Sequence, residues 1–98
     1  MRILLPALLL AAACGAADPR EEAASRCRGH YDRLWRWITA RGEAPATEAE
    51  MREAAGIRDL DPWGHAYEVE RRDDGGVRVW SNGPDGEPGT DDDIAYPP

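Results

Sequence analysis

The chain has 98 residues, of which 32% are charged, and a formal net charge of −7. Residues 1–13 have the character of an export signal. The residues after position 13 are enough for only one small domain. A chain this short excludes a dinucleotide-binding fold and a barrel enzyme. A surface this acidic repels phosphate backbones, so the composition also argues against nucleic-acid binding.

The first residues predict export. Arg2 provides a minimal positive start, an apolar run extends from Ile3 to Leu10, and three alanines lead to Cys14. The apolar run is too short to cross a bilayer, which takes about 20 residues. A run of small residues ending at Cys resembles the lipobox of bacterial lipoproteins, and this resemblance implies that Cys14 is lipidated. An ordinary secretory signal cleaved nearby is the alternative.

These features divide the chain into three parts. Residues 1–13 are the lipoprotein signal peptide, residues 14–18 are the lipidated Cys with a short tether, and residues 19–98 are the folded domain. Gly15 after the lipid-bearing Cys resembles the outer-membrane sorting pattern of some bacteria. We therefore expect a lipid anchor in the cell envelope, in the outer membrane and facing the periplasm.

Residues 19–41 are typical of a long amphipathic helix. Asp18 can cap the first amides, Pro19 suits the first helical position, and Glu21 completes a capping box. Gly42 supplies the stop. Apolar residues recur at the spacing of one helix face, namely Ala23, Cys27, Tyr31, Leu34, Trp35 and Ile38.

This spacing predicts which aromatic and sulfur side chains of the helix are buried and which are exposed. Trp35 lies on the apolar stripe and is expected in the core, because a tryptophan buries a large area. Trp37 departs from the stripe and is expected at the surface, as a contact for a partner. Cys27 is expected to be a buried, unreactive thiol.

The rest of the chain predicts a short helix and a small sheet. A second capping box opens a helix over residues 47–55, and Ile57 and Leu60 should then pack against the long helix. Residues 66–71 alternate apolar and polar side chains, residues 73–76 form a hairpin turn, and residues 77–80 return. Residues 94–96 supply a third strand, and Trp63 and Trp80 are expected in the core. The fold class is therefore α+β, with a long N-terminal helix packed on a small three-stranded antiparallel sheet.

Residues 81–94 read SNGPDGEPGTDDDI and contain five acids but no base. Crowded carboxylates are unfavourable unless water or a cation screens them. Ca²⁺ prefers six to eight oxygen ligands from carboxylates and carbonyls. An EF-hand loop that began at Asp85 would place Thr90 where the motif requires glycine, so the pattern does not fit an EF-hand. A solvated acidic loop is the alternative to a calcium site.

Two motifs together carry a resemblance to a known family. They are DPWG at residues 61–64 and the SNGPDGEPGTDDDI loop at residues 81–94. In this order and spacing they resemble the C-terminal domain of the major pseudopilin of type II secretion. The resemblance implies a pseudopilin-like fold whose loop wraps a calcium ion. The chain departs from that family at its start, where a lipoprotein-like signal replaces the long apolar helix.

The resemblance also implies the calcium ligands. Asp85, Asp92 and Asp93 correspond to the carboxylate ligands, Asn82 to a backbone-carbonyl ligand, and Asp91 competes with its neighbours for a role. One or two carbonyls from residues 87–90 should complete the shell.

The expected function is that of an exported, lipid-anchored, calcium-binding structural or interaction protein, and not an enzyme. The expected partners are envelope or secretion-system proteins. One alternative is an accessory component that docks to pseudopilins in a secretion or pilus-like machine. The other is a small envelope hydrolase that uses the acidic loop.

Overall fold

The computed structural model describes residues 18–98, which form two helices and three strands. The lipoprotein signal, Cys14 and most of the tether lie outside the described residues. The elements are α1 Pro19–Arg41, α2 Glu48–Ala55, β1 Glu68–Arg71, β2 Val77–Ser81 and β3 Ile94–Tyr96.

Both helices begin at the caps that the sequence predicts. The Asp18 carboxylate accepts a hydrogen bond from the Arg20 amide at 2.9 Å, and the Thr47 hydroxyl accepts one from the Glu50 amide at 3.1 Å. These bonds satisfy amides that have no partner inside the helix. The first helix ends at Gly42, as expected.

The strands form one antiparallel sheet in the order β1-β2-β3. Val69 of β1 lies opposite Val79 of β2, and Val79 lies opposite Tyr96 of β3. The buried valines form a single core cluster with Leu34 and Cys27 of α1. This arrangement confirms the predicted α+β class and places both ends of the acidic loop on the sheet, at the end of β2 and the start of β3.

The two tryptophans of α1 exchange the places that the sequence predicts. Trp35 is 41% exposed, so its expected burial is wrong. Trp37 is half-buried and packs on the core, with the Arg41 guanidinium 4.2 Å from its ring centre. The helix turns by about 100° per residue. The buried stripe is therefore centred on Leu34 and Ile38, with Trp37 at one edge and Trp35 turned outward.

Three further apolar residues are more exposed than expected. Leu60 is 59% exposed and is not part of the core cluster. Trp63 and Trp80 are only half-buried. Trp80 alternates with the buried Val77 and Val79, and so it lies on the outer face of β2.

His30 is a core residue that the apolar pattern did not predict. It is 8% exposed, and its Nδ1 donates a hydrogen bond to the Ala55 carbonyl at 2.9 Å, which joins α1 to α2. Its ring meets Tyr67 edge-on at 5.3 Å. Within the described residues its Nε2 has no hydrogen-bond partner. Burial lowers the pKa of His30 below its ordinary value of 6.5.

Cys27 is fully buried, as expected, and burial raises the pKa of its thiol to about 12. Among residues 18–98, neither helix has the length and apolar character that crossing a bilayer requires.

Candidate functional site in the acidic loop

The DPWG turn is built around the carboxylate of Asp61. Its Oδ1 accepts hydrogen bonds from the amides of Trp63 at 3.0 Å and His65 at 2.8 Å. The Asp61 amide also donates to the His65 carbonyl at 2.7 Å. An Asp side chain that bonds its own following backbone is a common way to stabilise a turn. Asp61 is 5% exposed, so these bonds lie inside the fold.

The same carboxylate reaches the acidic loop. Its Oδ2 accepts a hydrogen bond from the Ser81 hydroxyl at 2.7 Å, and the Ser81 Oγ accepts one from the Gly83 amide at 3.0 Å. Ser81 is fully buried, and Asn82 is 7% exposed. We call residues 81–83 the loop base. The two sequence motifs are therefore joined by a buried hydrogen-bond chain.

The loop closes on itself at Gly83. Its φ is +74°, in the left-handed region, and a Cβ built there would collide with the backbone carbonyl of Asp92. Only glycine combines that dihedral with so close a backbone approach. The outgoing and returning arms of the loop thus meet at Gly83, the last residue of the base.

Residues 85–91, which we call the loop tip, are held together by side chains of the acidic loop, including that of Asp93 just after the tip. Asp85 Oδ1 accepts from the Glu87 amide at 3.0 Å, and Asp85 Oδ2 accepts from the Thr90 hydroxyl at 2.9 Å. Asp93 Oδ2 accepts from the Gly89 amide at 2.7 Å. The Glu87 amide first, and then the Thr90 hydroxyl, hold the pKa of Asp85 below its ordinary value of 3.8.

Three oxygen acceptors converge on the Thr90 hydroxyl. Asp85 Oδ2 lies 2.9 Å from Thr90 Oγ1, the Glu87 carbonyl oxygen 3.3 Å, and Asp93 Oδ1 3.4 Å. A hydroxyl has only one proton to donate. At least two of these oxygens therefore lack a full hydrogen bond from it, and the charge of the two carboxylates is concentrated there.

The structure brings together only some of the ligands that the sequence predicts. Asp85 and Asp93 meet across Thr90. The Asp92 carboxylate instead lies 3.4 Å from the Arg20 guanidinium of α1. Asp91 is exposed. The Asn82 side chain accepts a hydrogen bond from the Trp80 indole at 2.8 Å. In the part of the chain described, no three Asp, Glu, His or Cys side chains form a ready metal-binding group.

The two motifs and the fold both have counterparts among known proteins. The model of one family, described as Type II secretion system (T2SS), protein G, matches residues 39–96, more than half of the chain. The chain belongs to this family. The match includes the DPWG turn, the whole sheet and the acidic loop. It confirms the family resemblance that the motifs indicate.

A solved structure agrees with the family assignment at the level of fold. It is the major pseudopilin from the type 2 secretion system of enterohaemorrhagic Escherichia coli. The two chains align with a TM-score of 0.62 and 24% sequence identity, over 79% of this chain and 81% of that chain. At this identity the likeness speaks for the fold alone. A search among curated proteins gave no significant match.

Sequence reasoning missed three residues that organise the loop of this protein G family member. It placed Asp61 and Ser81 only inside the two motifs, and it considered a backbone carbonyl from residues 87–90 but gave the Thr90 hydroxyl no role. Asp and Ser are residues that bond to nearby backbone, which was the available signal. Their pairing across 20 residues of sequence was not visible in a pattern of neighbours.

Proposed function

We propose that this chain is a lipid-anchored structural and interaction protein of the cell envelope whose acidic loop binds Ca²⁺. Membership of the protein G family supports a structural role in the envelope, with partners among secretion-system proteins. The same membership argues against a hydrolase that uses the acidic loop. The convergence of oxygens on Thr90 supports the calcium site.

The donor set suits a hard cation. Ca²⁺ takes carboxylate and carbonyl oxygens in flexible arrangements. Oxygens of Asp85, Asp93 and the Glu87 carbonyl all lie within 3.4 Å of the Thr90 hydroxyl oxygen. Asp92, Asp91 and the Asn82 carbonyl are the remaining candidate ligands. A bound ion would offset the electrostatic repulsion between the carboxylates of Asp85 and Asp93.

The role of the ion in this proposal is stabilisation. A ligand that binds only the folded state adds RT ln(1 + [L]/Kd) to the free energy of unfolding, about 2.7 kcal/mol at a hundredfold excess over Kd. An ordered loop tip would present a defined surface beside the sheet. Such a surface would serve recognition by another envelope protein.

Thermal unfolding of the full mature chain in EGTA and in millimolar Ca²⁺ tests the site. We expect Ca²⁺ to raise the Tm of the wild type, and Asp85→Asn/Asp93→Asn to abolish the rise. The control is Glu43→Gln/Glu70→Gln, which removes the same charge from exposed positions outside the loop. Equal rises in both double variants would reject the site, and no rise in the wild type would reject calcium binding altogether.

Single variants assign the remaining ligands. Asp92→Asn should weaken calcium binding if the ion draws that carboxylate away from Arg20, and Asp91→Asn should have a smaller effect. Isothermal titration of each variant measures the loss. An unchanged affinity in Asp92→Asn would remove Asp92 from the ligand set.

The lipid anchor is tested separately at Cys14. The intact mass of the chain purified from membranes should include a diacylglyceryl group, and Cys14→Ser should abolish both the added mass and membrane retention. Cys27→Ser is the matched control, because it removes the only other cysteine and should keep the lipid. A lipid-free mature chain would favour an ordinary secretory signal.

A further inference from the structure

Asp61 is a buried carboxylate that the fold retains at a cost. Among residues 18–98, no Arg or His side-chain nitrogen forms an ion pair with it. Hydrogen bonds alone therefore offset the loss of water around its charge. Three donors converge on its two oxygens, two from the turn and one from Ser81. An ionised carboxylate can accept all three at once, whereas an amide or hydroxyl cannot.

The carboxylate also sets the direction of the hydrogen-bond chain. It can only accept, so the single proton of Ser81 points toward Asp61. The lone pairs of Ser81 Oγ then remain free to accept the Gly83 amide. An Asn at position 61 would turn its NH₂ group toward Ser81, and the Ser81 proton would lose its acceptor.

The far end of this chain is the closure of the acidic loop. The backbone of Gly83 lies against the carbonyl of Asp92, so the position of Gly83 determines how closely the two arms approach. The turn supports the loop at a second point. The His65 ring lies 2.9 Å from where a Cβ on Gly86 would stand.

We propose that Asp61 is the positioning residue of the acidic loop. Through Ser81 it holds the Gly83 amide, and through Gly83 it sets the place of the backbone that carries Asp92 and Asp93. The DPWG turn therefore belongs to the loop site without contributing a ligand. Its effect on calcium affinity rests on the proposed function, but its effect on the loop backbone does not.

Amide hydrogen exchange of Gly83 in the full mature chain, measured by NMR in EGTA, tests the proposal. We expect Asp61→Asn and Ser81→Ala to speed exchange at Gly83 by about tenfold or more and to shift the resonances of residues 82–93. Ser81→Ala leaves the Asp61 bonds to the turn in place, so it decides the question if Asp61→Asn does not fold. Thr47→Ala is the control, since it removes a helix cap outside the loop and lowers stability by about 1 kcal/mol.

Calcium affinity of the same variants supplies the second measurement, by competition with a chelator. We expect calcium affinity to fall by about tenfold or more in Asp61→Asn and in Ser81→Ala, and to stay unchanged in Thr47→Ala. Unchanged exchange of the Gly83 amide in both Asp61→Asn and Ser81→Ala would overturn the proposal. An acceleration of the same size in Thr47→Ala would also overturn it. If the wild type binds no calcium, the proposed site fails, and Gly83 exchange still decides the role of Asp61.

Discussion

The base and the tip of the acidic loop are adjacent in sequence but differ in what holds them. In the base, Ser81 is fully buried, Asn82 is 7% exposed, and Ser81 bonds to a side chain 20 residues away. In the tip, Asp85, Glu87 and Thr90 are all exposed, and their hydrogen bonds stay within the loop.

This difference separates two sources of order. Buried hydrogen bonds form with the core and break only at a cost, because water cannot replace them. Exposed carboxylate bonds compete with water and contribute little on their own. The base should therefore fold with the sheet, while the tip is the part whose order a bound cation would increase.

The largest test of this comparison is a pair of glycine substitutions. Gly83→Ala should lower the free energy of unfolding by more than about 3 kcal/mol, because it adds a collision with the Asp92 carbonyl to a left-handed backbone. Gly89→Ala in the tip also has a positive φ of 79°, but its Cβ would meet nothing within 4 Å. It should cost about 1–2 kcal/mol. Urea unfolding in EGTA measures both, and equal losses would contradict a rigid base.

Acid should affect the core and the tip in separate pH windows. The pKa of His30 is lowered from 6.5 by burial, so the unfolded state binds more protons and stability falls as pH drops below about 6.5. The pKa of Asp85 is lowered from 3.8, so its contribution is present above that pH and is lost as pH falls through its folded value.

Variants assign these two windows. His30→Gln should remove the decline in Tm below pH 6.5, and Asp85→Asn should leave that decline in place. NMR titration should give an Asp85 pKa that rises in Thr90→Val, because the hydroxyl no longer bonds to the carboxylate. A decline that persists in His30→Gln would assign it to another group.

The smallest expected effect is at the contact between the loop and α1. Arg20 and Asp92 form an exposed ion pair at 3.4 Å, and such pairs contribute about 0–1 kcal/mol. Arg20→Ala should therefore lower stability in EGTA by less than about 0.5 kcal/mol and should raise calcium affinity slightly by releasing Asp92. A large loss of stability would show that α1 supports the acidic loop directly through Asp92.

Local patterns predicted most of the fold because they report local physics. Caps at Asp18 and Thr47 satisfy amides within a few residues, and alternation around Val77 and Val79 follows from strand geometry. The tryptophans of α1 were misplaced because both positions lie near the edge of the buried stripe. Which edge is covered depends on how the sheet and α2 pack there. His30 was missed because its burial depends on a carbonyl at the end of another helix.

The amino-acid sequence by itself determined the element order, the α+β class, the acidic loop and the two motifs that resemble the pseudopilin family. Only the tertiary structure decided that Asp61 bonds Ser81, and that Asp85 and Asp93 meet at Thr90 while Asp92 turns to Arg20. The physical reason is the sequence separation over which each kind of interaction acts. Helix caps, turns and strand alternation act over a few residues, whereas these pairings depend on where separate segments meet and on the direction in which each carboxylate then points.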